Sequence, residues 1–227
     1  MENEGKQYKI KIIKNGPYLV SGNVPLGEKL ITPKGKEYEY VSGRALPQKE
    51  TYMLCRCGKT KTPPFCDGEH RKTGFQGEEK ASKRPYHDRA DMIYGFGVDL
   101  LDDERCAYAR FCHRRNSNVW DLTRKSKTDE ICAEVIRGAN DCPTGRLTAV
   151  DKDGGEHEPF YEASIDILQD MELGVSSGIF VKGSIPIESV DGTLYEPRNR
   201  VVLCRCGKSK NMPFCDASHV KAKYKDK

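Results

Sequence analysis

Residues 55–70, CRCGKTKTPPFCDGEH, recur near the end of the chain as CRCGKSKNMPFCDASH, residues 204–219. Both copies space three cysteines and a histidine as C-x-C-x8-C-x3-H: Cys55, Cys57, Cys66 and His70, then Cys204, Cys206, Cys215 and His219. Little between these positions could build a core, so the stretch is expected to be held by something its side chains bind. Thiolates with one imidazole suit zinc or an iron–sulfur cluster. A zinc knuckle usually puts about two to four residues between its paired cysteines. The single residue inside each C-x-C suits two thiolates sharing one iron of a larger inorganic unit, and zinc stays open.

The repeat extends upstream. GPYLVSGNVPL (16–26) precedes the first cluster, and GIFVKGSIPI (178–187) precedes the second. Each reads as a strand, a glycine, then a Val-Pro or Ile-Pro step: Gly22 to Leu26 against Gly183 to Ile187. Turn signals follow at Lys34-Gly35 and Asp191-Gly192. Short apolar runs then lead into the cysteines, Tyr52-Met53-Leu54 and Val201-Val202-Leu203. The first copy carries extra residues around Pro47 and Gln48, expected as a loop. YKIKI at 8–12 alternates with period two, the pattern of a half-buried strand. After the third cysteine, DGEHRK and DASHVK predict a short helical turn with Asp67 or Asp216 near its N-terminus.

With 37% hydrophobic and 32% charged residues in 227, the chain predicts small domains with thin cores that need metal staples. MENEGKQYKIKIIKNG has no apolar leader, and no stretch nears about 18 apolar residues. The expectation is a cytoplasmic protein without a membrane span, where ten cysteines serve as metal ligands rather than disulfides. The net charge of +4 is mild, and the basic tail 220–227 is expected to be solvated rather than to bind nucleic acid.

Between the copies, Cys106 and Cys112 stand in C-x5-C spacing, and Cys142-Pro143 follows about thirty residues later. Bacterial ferredoxins use C-x2-C-x2-C with a distant C-P. Here Ala109 stands at the middle position. Three thiolates suit a [3Fe–4S] cluster, or a [4Fe–4S] cluster with an unusual fourth ligand. Cys132 competes for that place. SKTDEICAEVIRGANDCP reads as a helix capped by Ser126 or Thr128, with Gly138 near its end. On it Cys132, Val135, Ile136 and Ala139 form one stripe, so Cys132 is expected in the core. His113, next to Cys112, is a weaker competitor. GFQGEEKASKRP (74–85) predicts a polar hinge, and Asp99, Asp102, Asp103 and Glu104 predict a solvated stretch.

These residues carry two resemblances. CRCGKTKTPPFCDGEH resembles the CDGSH, or NEET-type, iron–sulfur motif C-x-C-x2-[ST]-x3-P-x-C-D-G-[STA]-H. Thr60, Pro64, Asp67 and Gly68 match it, and Glu69 departs. In the second copy Ser209, Pro213, Asp216 and Ser218 match, and Ala217 replaces the glycine. The resemblance implies two [2Fe–2S] clusters, with Cys55 and Cys57 on one iron and Cys66 and His70 on the other, and likewise in the second copy. Arg105-Cys106, Phe111-Cys112, Val119-Trp120-Asp121 and Cys142-Pro143-Thr144-Gly145 resemble the divergent single-cluster ferredoxin domain found beside CDGSH domains.

The expected fold is α+β. Two small β-rich modules (1–84 and 173–227) pair as a pseudo-dimer within one monomeric chain, joined by a ferredoxin-like α+β domain (85–172). The leading expectation for function is electron transfer. The alternatives are cluster storage or delivery, redox or pH sensing, and a zinc-stapled scaffold. The partner would be a redox protein or an apo iron–sulfur acceptor, with no nucleic acid and no membrane. No dinucleotide fingerprint, phosphate loop or nucleophile motif is present, so no enzyme is expected.

Overall fold

The alternation at residues 8–12 forms strand β1 (Lys9–Ile12), with Ile10 and Ile12 buried. The computed structural model describes residues 8–114 and 117–226. Residues 1–7 of the predicted N-terminal module, and Lys227 of the basic tail, lie outside the described residues. The first repeat continues through β2 (Tyr18–Ser21), β3 (Leu26–Lys34), β4 (Glu37–Ser42), β5 (Thr51–Leu54) and the one-turn helix α1 (Glu69–Lys72). The middle segment holds β6 (Asp91–Ile93), β7 (Val98–Asp102), β8 (His113–Arg114), β9 (Ser117–Asn118), α2 (Val119–Arg124), α3 (Asp129–Asn140), β10 (Leu147–Asp151) and β11 (Glu156–His157). The second repeat is built from β12 (Ser164–Asp170), β13 (Val175–Lys182), β14 (Ile187–Glu188), β15 (Arg200–Leu203) and α4 (Ser218–Lys221).

The two repeats exchange strands. One sheet runs β14-β1-β2-β5 and the other β15-β13-β12-β3-β4. β3 therefore leaves the first repeat's sheet and lies parallel to β12, while β14 leaves the second repeat's sheet and lies parallel to β1. The Gly-x-x-Pro steps redirect the chain. Gly22 and Asn23 take φ of 95 and 61, and Gly183 and Ser184 take 70 and 55, the left-handed turn that starts each crossing. The proline carbonyls then serve the other repeat: Ile165 N–H donates to Pro25 O at 2.8 Å, and Ile10 N–H donates to Pro186 O at 2.9 Å. The copies thus pair inside one chain. β12 falls within the span 85–172 predicted for the middle segment, yet its backbone pairs in the C-terminal sheet.

The exchange gives a polar chain an adequate core. Ile10, Ile12, Val20 and Leu26 of one repeat pack with Ile165, Ile179, Val181, Ile187 and Leu203 of the other. Each such buried aliphatic side chain contributes about 1.5–3 kcal/mol. The thin separate cores predicted from composition are merged into one.

In the middle segment, α2 and α3 pack on the antiparallel sheet β11-β10-β7-β6 through Val98, Leu100, Val119, Val135 and Leu147. Thr128 caps α3, accepting from the Ile131 N–H, while Ser126 is buried and accepts from the Phe96 and Gly97 N–H groups. Gly138 lies inside α3, where a Cβ would come within 2.4 Å of Val119, so its absence lets α2 approach. Residues 74–85 are tied down rather than free. Lys80 and Ala81 donate to Met212 O, and Gly77 O accepts from Arg56. The solvated stretch predicted around Asp99 is corrected for its three aspartates, and only Glu104 is exposed. Asp99 and Asp102 are buried, and Asp103 is bridged by Arg89 and Arg105. The reason is a supply of cations from elsewhere in the chain, which makes burial of the carboxylates tolerable. No described helix is long and apolar enough to cross a membrane.

Candidate metal centres

Each repeated motif folds into a loop whose donors approach in pairs. Cys55 and Cys57 sulfurs lie 3.7 Å apart, and Cys204 and Cys206 sulfurs 3.6 Å. Cys66 Sγ lies 3.4 Å from His70 Nδ1, and Cys215 Sγ lies 3.4 Å from His219 Nδ1. Two sulfurs bonded at about 2.3 Å to one tetrahedral metal stand about 3.7 Å apart, and a sulfur and an imidazole nitrogen about 3.5 Å. Each pair is therefore already spaced to share one metal. Among the described residues no three His, Cys, Asp or Glu donors converge on a single ion position. Each donor set thus offers two such pairs.

Local chemistry builds these pairs. Asp67 accepts from the Lys61 N–H at 2.7 Å and from the Glu69 N–H at 3.1 Å, pinning the x8 loop to the start of α1. Asp216 repeats this with Lys210 and Ser218 at 2.7 and 3.0 Å. Thr60 and Ser209 hydroxyls donate to the Phe65 and Phe214 carbonyls and close the same loops. Gly68 takes φ 91, and Ala217 holds the same left-handed turn at φ 65. The departure from glycine in the second copy keeps the turn, at a backbone cost of about 1 kcal/mol.

The first thiol of each C-x-C is acidified. Cys57 shares its proton with Cys55, and the Thr60, Gly58 and Lys59 N–H groups face the Cys55 sulfur, lowering it to about 6 against the opposing effect of burial. Cys204 falls to about 7 by the same contact with Cys206 and by the N–H groups of Ser209, Gly207 and Lys208. Burial pushes Cys66 and Cys215 up. These loops therefore favour one thiolate each in advance and present amides to its sulfur.

The residue between the paired cysteines, passed over in the sequence, is buried arginine. Arg56 is 1% exposed and donates to Gly16 O, Ile13 O and Gly77 O at 2.8, 2.9 and 3.0 Å. Arg205 is 2% exposed and donates to Ser177 O and Leu168 O and pairs with Asp226. Each is a fixed cation held by backbone carbonyls outside its own loop. The signal was the repeated C-R-C, since chance rarely puts the same long cation at both positions. Tyr18 is a second missed residue: from the first repeat its hydroxyl donates to Cys204 O and Pro213 O, at 2.8 and 3.1 Å.

The repeated loops abut. Cys57 and Cys206 pair as an antiparallel bridge. A Cβ on Gly58 would sit 2.4 Å from Cys206 O, and one on Gly207 would sit 2.4 Å from Cys57 O.

The middle cysteines also gather. Cys106, Cys112 and Cys142 line one recess with Ala109, Trp120 and Arg146. Cys112 is pushed up to about 12, first by burial and then by the negative charge of Cys142 and Cys106. The Tyr108 N–H donates to Cys106 Sγ at 3.2 Å, and Cys142 Sγ lies 3.2 Å from the Thr144 hydroxyl. Tyr108 and Arg110 take φ of 57 and 65, a local strain concentrated in the five-residue arc between Cys106 and Cys112. Arg146 supplies positive charge. It is oriented by Asp102, which also accepts from Trp120 Nε1 at 2.8 Å. Cys132 lies apart, half-buried on α3 with its sulfur 3.6 Å from Ser126 O. His113 is exposed on β8.

Comparison with known families agrees with these three gatherings. Residues 15–71 and 177–220 match the family model described as iron-binding zinc finger CDGSH type, and residues 95–152 match the one described as divergent 4Fe-4S mono-cluster. No curated protein and no solved structure matches the chain. Two families matched in separate stretches, each centred on a set of clustered thiols, make the chain an iron–sulfur protein of two CDGSH iron-binding regions with a divergent 4Fe-4S mono-cluster domain inserted between them.

Proposed function

We propose that the protein is a non-enzymatic electron carrier of the cytoplasm with three clusters. Cys55, Cys57, Cys66 and His70 would hold one [2Fe–2S] cluster. Cys204, Cys206, Cys215 and His219 would hold a second. Cys106, Cys112 and Cys142 would hold a [3Fe–4S] cluster, with Ala109 at the position where a fourth thiolate would make it [4Fe–4S]. Bound clusters supply one-electron redox chemistry. The chain's own residues prepare the sites: backbone amides face Cys55 and Cys204, and Arg146 offsets thiolate charge in the middle.

The observation that supports electron transfer is contiguity. The first and second loops pair at Cys57 and Cys206, and Cys106 shares a recess with Cys215. Separate storage sites would need no such contact. The exposure of Cys66 and His70 favours a second reading, delivery of a cluster to an apo-protein acceptor.

Iron and acid-labile sulfide per chain test the assignment on anaerobically purified protein. The three clusters require about seven iron and about eight sulfide. About eight of each makes the middle centre [4Fe–4S], and zinc without sulfide overturns the proposal. Reversible reduction with fast exchange to a redox protein supports transfer. Net loss of one cluster to an apo-acceptor supports delivery.

A further inference from the structure

The two motif loops match in sequence position by position, but their surroundings differ. Leu54-Cys55 corresponds to Leu203-Cys204, so Met53 corresponds to Val202, and Leu19, three residues before Gly22, to Phe180. Met53 is 48% exposed, while Val202 is 1% exposed. Cys66 and His70 are only half-buried, whereas Cys215 and His219 are 3% and 2% exposed.

The inserted segment makes the difference. Ala107, Ala109 and Phe111, from the arc between the middle cysteines, pack on Val202, Phe180 and Cys215. The Arg105 guanidinium lies 4.4 Å from the Phe214 ring centroid, immediately before Cys215 in sequence. Cys106 and Cys215 line one recess together with Asp216. Arg110 forms a two-pronged ion pair with Asp170, at 2.7 and 3.0 Å, on the side of His219. Among the described residues nothing comparable covers the first repeat. Its Cys66 opens on a groove of about 490 Å³ whose walls include Lys49, Met53, Thr62 and Phe65.

Building on the iron–sulfur function proposed above, we infer that the two repeated sites divide the work. The N-terminal site, at Cys66 and His70, is where the protein exchanges with other molecules. The C-terminal site, at Cys215 and His219, is an internal site that faces the middle segment and is sealed by it. A shell of packed side chains controls access of solvent and solutes to a metal centre, so the sealed site exchanges slowly.

The test uses the anaerobic holoprotein and an excess of bathophenanthroline disulfonate at about pH 8, following the visible absorbance of the histidine-ligated clusters. Two phases are expected, the faster by about tenfold or more. His70→Cys, which puts a thiolate at the exposed position, removes the fast phase, and His219→Cys leaves it in place. A fast phase that follows His219, or loss of both clusters at one rate, overturns the division. A second measurement needs no variant. In the reduced wild-type protein, a soluble dysprosium complex shortens the electron spin relaxation of one [2Fe–2S] signal more than the other, and equal relaxation of both overturns the division. Iron and sulfide are assayed first on the same sample. Their absence would overturn the iron–sulfur function itself, whereas equal exchange in a loaded protein overturns only the division.

Discussion

Gly58 and Gly207 face each other where the repeated loops meet, and replacing either with alanine should cost more than any other glycine in those loops. Both take φ of 70, which carries a net penalty of about 1 kcal/mol for an L side chain. The added methyl group would also lie 2.4 Å from a backbone carbonyl oxygen of the other loop. That oxygen belongs to Cys206 or Cys57, inside the bridge that joins the loops, so relief requires separating them, at about 1–3 kcal/mol. The sum is about 2–4 kcal/mol for Gly58→Ala or Gly207→Ala. Gly68→Ala is the control: φ is 91 and no atom lies within 4 Å of the new Cβ, so only the backbone penalty of about 1 kcal/mol applies. Ala217→Gly is the reverse change at the matching position and should gain about 1 kcal/mol. The assay is the apparent Tm of the anaerobic holoprotein at one scan rate. For a chain of this size each kcal/mol moves Tm by about 2–4 °C. Falls of about 4–16 °C are expected for Gly58→Ala and Gly207→Ala, and a rise of about 2–4 °C for Ala217→Gly. If Gly58→Ala falls no further than Gly68→Ala, the close packing of the two loops is wrong.

Three further outcomes are expected. Burial, and then the positive charge of Arg205, lowers His219 to about 4. A histidine depressed in the folded state contributes stability above its unfolded pKa of about 6.5, and loses it as pH falls from there toward 4. In the metal-free chain, where the imidazole can take the proton, the loss amounts to about 3 kcal/mol, and an apparent Tm of that form unchanged between about pH 7 and 4.5 would contradict it. Arg56→Met strands the Gly16, Ile13 and Gly77 carbonyls, costing about 3 kcal/mol or more, and should lower bound iron by about two per chain in an elemental assay. Tyr18→Phe removes the donor to Cys204 O and Pro213 O, and should destabilise by about 1–3 kcal/mol, with the absorbance of the C-terminal cluster lost first on heating.

The metal loops were legible in the sequence because their determinants are local. Cysteines two and nine residues apart, a histidine four further on and an Asp at the turn specify a loop without reference to the rest of the chain. The strand exchange was not legible. Pro25 and Pro186 announce only that a strand ends, and whether the next strand returns to its own sheet depends on partners far away in sequence. Asp102 read as solvated because Asp99, Asp103 and Glu104 crowd charge around it in sequence. Its burial rests on Arg146 and Trp120, which reach it only after folding. Arg56 failed for the same reason: between cysteines it looks like an exposed cation, and the three carbonyls that bury it come from residues 13, 16 and 77. Cys132 was legible, since the helical stripe alone placed it on the inner face of α3.

The strand exchange also bears on how two sites could become unlike. A single repeat would expose the edges of β1 and β3, which here are filled by the other copy, and it would satisfy them in a second chain. Such a dimer is symmetric, so each site must look out on the same surroundings, and its assembly depends on concentration. Joining the copies in one chain makes the exchange intramolecular and frees the sequences to drift apart. An arm grown from the connection between them can then close over one site and leave its twin open, an asymmetry that no dimer of identical chains obeying two-fold symmetry can hold.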